Sequence, residues 1–161
     1  MPINFVCPLI VVRDVEKSKK FYTELLGQNI SMDAGENVTF QNGFSIHQRD
    51  HFAILLDTDP SSFPTPASWD NELYFEADDI DNLYEMLKEE NVGFLHGIRE
   101  QPWLQRVMRF FDPDGHIIEI GETMERVVER LNSQGLSIEE IEEKTSIPLD
   151  FIRDLLEEDA Q

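Results

Sequence analysis

The run Phe110-Phe111-Asp112-Pro113-Asp114-Gly115-His116-Ile117-Ile118-Glu119-Ile120 decides how the rest of the chain is read. Asp-Pro-Asp-Gly is turn chemistry: Pro113 presets φ, Asp112 bonds backbone amides ahead of it, and Gly115 tolerates a positive φ. Alternation on either side of the turn predicts two strands, Gln105 to Phe111 and Ile117 to Ile120. Ile118 and Ile120 share one face of the second strand, while Ile117, Glu119 and Gly121 share the other. Glu119 therefore sits mid-strand among apolar neighbours. A carboxylate there is costly unless it is paired, solvated in a cleft or bound to a metal, and a half-exposed strand face is the simpler reading.

Upstream, Phe5 to Val12 is strand-like, with Pro8 pointing to an edge position or a bulge. Asp14 is an N-cap, and Ser18, Phe21, Tyr22, Leu25 and Leu26 recur at helical spacing up to Gly27. Strands are expected at Gln28 to Met32, Val38 to Phe40, Phe44 to His47 and Phe52 to Leu56, with Asn42-Gly43 as a hairpin signal. Residues 57–70, with three prolines, read as a connecting loop. The pattern then restarts: strand Glu72 to Ala77, N-cap Asp79, a helical stripe through Leu83, Met86 and Leu87, and strands from Val92 onward. Aligning Asp14-Val15 with Asp79-Ile80 lays strand on strand and helix on helix, so each half reads βαβββ.

Whole-chain properties narrow the function classes. At 161 residues the chain can bury a real core in one domain, and its eleven Phe supply bulky packing material. A net charge of −20 repels a phosphate backbone, which argues against nucleic-acid binding and for a cationic small molecule. The single cysteine, Cys7, excludes an intrachain disulfide and suits a reducing compartment. The apolar run Ile3 to Val12 is too short for a membrane span and lacks the basic flank of a signal peptide. A cytoplasmic protein that engages no membrane is expected.

The closing hairpin, with its Phe-x-Asp-Pro-Asp-Gly and Ile118-Glu119-Ile120, resembles that of the vicinal oxygen chelate superfamily, which includes glyoxalase I, extradiol dioxygenases and bleomycin-resistance proteins. Val12-Arg13-Asp14-Val15-Glu16-Lys17-Ser18, followed by Phe21-Tyr22 and Leu25-Leu26-Gly27, resembles the superfamily's first strand and helix. The resemblance implies an α+β fold: two βαβββ modules, about 3–57 and 71–122, forming a curved mixed sheet in a domain spanning 1–122. It also implies a divalent metal (zinc, nickel, manganese or iron) at Cys7, His47, Glu72 and Glu119. Here His47 is matched to Glu119 by aligning Asn42-Gly43-Phe44-Ser45-Ile46-His47 with Asp114-Gly115-His116-Ile117-Ile118-Glu119. Cys7 stands where a His is usual, which disfavours iron-dependent ring cleavage and leaves a lyase or isomerase acting on a small vicinal-oxygen metabolite. In that scheme Glu72 or Glu119 is catalytic and moves the proton. The alternative is a metal-free protein that sequesters a small molecule. Members of the superfamily commonly pair, so a homodimer is expected.

Residues 123–161 lie beyond the resemblance and read as a helical C-terminal extension. Ser137 and Glu140 form a capping box there, and Pro148 opens a last helix. The extension resembles small helix-turn-helix modules, but its acidic residues far outnumber its Lys and Arg, which favours a packing role over DNA reading.

Overall fold

The computed structural model describes residues 2–158. Its strands form two four-stranded mixed sheets on one plan. In the first, β1 (Leu9–Val12), β2 (Ile30–Asp33), β3 (Asn37–Phe40) and β4 (Ser45–Gln48) lie in the order β1-β4-β3-β2. In the second, β5 (Glu72–Ala77), β6 (Phe94–Glu100), β7 (Arg106–Phe111) and β8 (Ile117–Glu122) lie in the order β5-β8-β7-β6. β1 pairs with β4, and β5 with β8, in parallel; the other pairings are antiparallel. With α1 (Val15–Lys20) and α3 (Ile80–Glu89) after the first strand of each set, both halves are βαβββ modules in an α+β fold. The chain separates into two compact units. One runs to Asn71 and takes in the turn Asp112–His116; the other comprises Glu72–Phe111 and continues from Ile117.

Both module helices start for the same reason. Asp14 accepts a hydrogen bond from the Lys17 amide at 3.0 Å, and Asp79 from the Asn82 amide at 3.0 Å, so each cap satisfies an orphan donor of its helix. α1 continues into a π-helical turn, Phe21–Leu25, which buries Tyr22 against Phe40 and Phe44 with ring centroids 5.6 and 5.2 Å away. In the second module Ile80 and Leu87 are the buried side of α3, which lies against β6 and β8.

Several elements depart from the sequence reading. The strand expected at Phe52 to Leu56 is instead a helix, α2 (Arg49–Leu55). The first sheet is already complete with β4. Of the apolar run only Ala53 is buried, while Ile54, Leu55 and Leu56 face outward. Such one-sided burial suits a helix laid on a finished sheet, whereas a further strand would need a partner. β1 begins at Leu9, so Cys7 precedes the strand; the Pro8 carbonyl still accepts from the Ser45 amide at 3.0 Å. β6 starts two residues later than expected and runs on to Glu100, through irregular register at His96.

The extension forms α4 (Met124–Ser133), α5 (Ile138–Thr145) and α6 (Leu149–Glu158). The capping box is present: the Ser137 amide donates to Glu140 Oε2 at 2.8 Å, and the Glu140 amide to Ser137 Oγ at 3.3 Å. Val127, Val128, Leu131, Ile141, Ile147 and Ile152 bury themselves together, each burial contributing about 1.5–3 kcal/mol. A second device fixes α4 to the sheet. Glu122, buried at the end of β8, accepts from Arg106 Nε at 2.8 Å and from Arg130 Nη2 at 2.8 Å. Burial pushes the Glu122 carboxyl up, and the hydrogen bonds from Arg130 and Arg106 outweigh it, holding the group below the usual carboxylate range.

Candidate functional site

Strand register decides which side chains meet. In the second module Glu72, Tyr74 and Glu76 alternate on the exposed face of β5, and Tyr74 pairs with Glu119 across to β8. Glu119 in turn pairs with Arg109 on β7, and Arg109 with His96 on β6. One polar row thus crosses the whole sheet: Tyr74, Glu119, Arg109, His96.

Arg109 is the centre of that row. Its Nε donates to Glu72 Oε2 at 2.9 Å, its Nη2 pairs with Glu119 Oε2, and its Nη1 lies 3.3 Å from His96 Nε2. The opposite ring nitrogen of His96, Nδ1, lies 2.7 Å from the Gly97 carbonyl, which can only accept. His96 is therefore protonated on Nδ1 and takes the Arg109 hydrogen bond on Nε2. Glu119 is only 5 % exposed, so the expected mid-strand carboxylate is buried and its charge is balanced by the guanidinium. Glu72 at the rim is more exposed than Glu119, and the two share one cation.

The first module builds the same register position from neutral groups. His47 pairs with Asn37 on β3, as Glu119 pairs with Arg109 on β7. Asn37 Nδ2 donates to His47 Nδ1 at 3.1 Å, and His47 Nε2 lies 2.7 Å from His51 Nδ1 on α2. The two imidazoles stack with centroids 5.0 Å apart. Burial pushes the His47 pKa down, the neighbouring His51 adds to the shift and Glu36 opposes it. Aligning Asp14 with Asp79 also matches Cys7 to Glu72, and the sheet register corrects that match. Ser45 pairs with Leu9 as Ile117 pairs with Glu72, so the first-module counterpart of Glu72 is Leu9, and Cys7 lies two residues before it. The Cys7 thiol instead rests 3.6 Å from Ser45 Oγ.

These arrangements bear on the metal that the sequence implies. A divalent ion needs carboxylate and imidazole lone pairs that are free to bind it. Glu72 and Glu119 direct theirs at Arg109, both His47 nitrogens are engaged, and Cys7 is paired with Ser45. As arranged, the four residues do not fit a divalent ion. Among the described residues no three His, Cys, Asp or Glu side chains gather into a metal-binding group.

Beside the Arg109 row, Gln105 ties two half-exposed aromatic rings together. Its Nε2 donates to Tyr74 Oη at 2.7 Å, and its Oε1 accepts from Trp103 Nε1 at 3.1 Å. Tyr74 Oη also donates to Glu76 Oε1 at 2.8 Å. Burial, with Glu76 adding and Gln105 opposing, pushes the Tyr74 phenol up to about 12. Gly121 makes the room for this, since a Cβ there would lie 2.6 Å from Gln105 Nε2. The face therefore offers two aromatic surfaces edged by Glu72 and Glu76.

Sequence reasoning singled out Glu72, Glu119 and His47 but missed Arg109, Asn37 and Gln105. A signal for Arg109 existed. The turn sets Phe111 opposite Ile117, and counting back two pairs brings Arg109 to Glu119.

A model of the Glyoxalase-like domain matches residues 5–125. The uncharacterized protein YraH of Bacillus subtilis (strain 168) is 31% identical over 117 residues, 69% of this chain and 91% of YraH. A crystal structure of a protein of unknown function from Agrobacterium tumefaciens str. C58 is 38% identical, with a TM-score of 0.69, covering 77% of this chain and 97% of that one. The lactoylglutathione lyase of Agrobacterium tumefaciens shares the fold at a TM-score of 0.55 and 19% identity, over 76% of this chain and 96% of its own.

Proposed function

Since this chain belongs to the glyoxalase-like domain family, within the vicinal oxygen chelate superfamily, we propose that it is a metal-independent small-molecule-binding member. The observation that carries this reading is Arg109, a fixed cation bridging the two carboxylates that a metal-dependent lyase or isomerase would need free. The ligand is a flat aromatic cation. Trp103 and Tyr74 supply ring faces for it, Glu72 and Glu76 supply negative charge at the edge, and the −20 net charge draws cations in.

The test is proflavine binding, followed by its fluorescence, in wild type, Trp103→Ala and Glu76→Gln. Saturable binding that weakens about tenfold in Trp103→Ala and less in Glu76→Gln supports the reading. Equal binding in all three, or none, rejects it.

A homodimer belongs to the same proposal. Phe5, Val6, Ile54 and Leu55 are large apolar side chains left exposed in the first unit, Phe5 at 84 %. Exposed apolar side chains of this size call for cover, and a second copy would supply it. Light scattering that shows a stable monomer contradicts it. The reading places the protein in the cytoplasm, where its single thiol stays reduced. Among the described residues no helix is long and apolar enough to cross a membrane.

A further inference from the structure

The turn Asp112–His116 carries chemistry that the Arg109 row does not use. Asp112 is buried, and its carboxylate is fully engaged. Oδ1 accepts from the amides of Asp114 and His116, both at 2.9 Å. Oδ2 accepts from Tyr22 Oη at 3.0 Å and from His116 Nδ1 at 2.8 Å. Burial and the Asp112 charge push the Tyr22 phenol well above its usual range, so it stays a donor. A neutral imidazole whose Nδ1–H is held by a buried carboxylate presents a lone pair on Nε2. Among the described residues that nitrogen has no hydrogen-bond partner.

His116 is one wall of a cavity of about 130 Å³ that lies within the first unit. Arg49, Arg13, Ser68, Asn71 and Phe63 are among its other walls. Arg13 is committed to the turn: its Nε donates to Asp114 Oδ1 at 2.6 Å and its Nη2 to the Pro113 carbonyl at 2.8 Å. Arg49 is less committed. Its Nε donates to Asp50 at 3.2 Å, and its two terminal nitrogens have no partner among the described residues. Arg49 and His116, each with an unused side-chain nitrogen, therefore line one small cavity together with Asp114 and an apolar wall. In a chain of net charge −20 a cavity that offers a cation is unexpected.

We propose that this cavity is a binding site for a small hydroxycarboxylate, whose carboxylate pairs with Arg49 and whose hydroxyl donates to His116 Nε2. Two observations select that class. The volume admits only a few heavy atoms, and the two walls ask for opposite things: an acceptor pair for the guanidinium and a donor for the imidazole. A plain carboxylate meets only the first demand. Hydrogen phosphate meets both, but leaves the apolar wall at Phe63, Pro64 and Ala67 without a partner. The site stands apart from the reading given for the Arg109 row and needs neither Trp103 nor Glu76.

The experiment follows the His116 imidazole ¹⁵N signals of the full-length protein during titration with glycolate, acetate and inorganic phosphate. The same titrations are run on Arg49→Gln, and on His116→Phe by isothermal titration calorimetry, with melting temperatures recorded for all three proteins. The proposal expects saturable glycolate binding in wild type at least tenfold tighter than acetate and phosphate, with a shift confined to Nε2. It expects that binding to be lost in Arg49→Gln at an unchanged melting temperature, since Arg49 bonds only an exposed neighbour. His116→Phe should lose it as well. Glycolate binding no tighter than acetate, preference for phosphate, or binding unchanged in Arg49→Gln would each overturn the proposal.

Discussion

The two modules answer the same structural question with different chemistry. In both, the third residue of the last strand faces a side chain on its antiparallel neighbour: His47 faces Asn37, and Glu119 faces Arg109. The first module fills the position with neutral groups and closes it with a second imidazole from α2. The second fills it with a buried charge balanced by a guanidinium, which a rim carboxylate and a histidine acceptor hold in place. Neutral groups cost little to bury once bonded, whereas a charge must be balanced where it stands. Evolution within one repeat can thus keep register and backbone while changing the electrostatic character of a site completely.

The largest expected difference between the modules follows from removing Arg109. Arg109→Met leaves Glu119 buried without its cation and should cost about 3–5 kcal/mol in urea unfolding. Arg109→Met combined with Glu119→Leu should regain most of that loss, because the uncompensated charge is then gone. Failure of the double variant to recover would mean that Arg109 acts mainly through its packing. The matching deletion in the first module is gentler. Asn37→Ala removes one hydrogen bond to His47 and should cost about 1–3 kcal/mol. Equal losses for Arg109→Met and Asn37→Ala would erase the proposed contrast.

A pH titration of stability sharpens it further. His47 has a folded-state pKa below its ordinary 6.5, so the unfolded chain takes up a proton first as the pH falls. His47 therefore contributes stability that is fully present above pH 6.5 and is lost as the pH drops from there through the lowered folded value. That slope should flatten in His47→Leu and persist in Glu119→Gln. The smallest effect belongs to Glu72→Gln, at about 0–1 kcal/mol, because Glu72 is partly solvated and screened at the rim.

How much of this was legible in the sequence depends on which physical signal each part carries. The repeat was readable because Asp14 and Asp79 are local caps and the strands alternate, both short-range patterns. The α2 segment was misread because Phe52 to Leu56 is a short apolar run of the kind that fits a strand or a helix, and only the completed first sheet decides between them. Glu119 stood out as a carboxylate in an apolar strand, but its partner did not. Arg109 lies ten residues away in sequence, and its pairing with Glu72 depends on β5 lying beside β8, a contact no local pattern encodes. Likewise His51 and His116 fall in or beside the turns that the sequence predicts, where a solvated imidazole is the default expectation. One lies on a helix against His47, and the other is buried against Asp112.

The most direct test of the account is metal content by elemental analysis of untagged wild-type protein and Glu119→Gln, after incubation with zinc, nickel, manganese or iron(II) and removal of the excess. With Arg109 engaging both carboxylates, neither protein should retain a stoichiometric amount of any of the four. About one equivalent per chain in wild type, lost in Glu119→Gln, would contradict the account and show that the guanidinium yields its place to a metal.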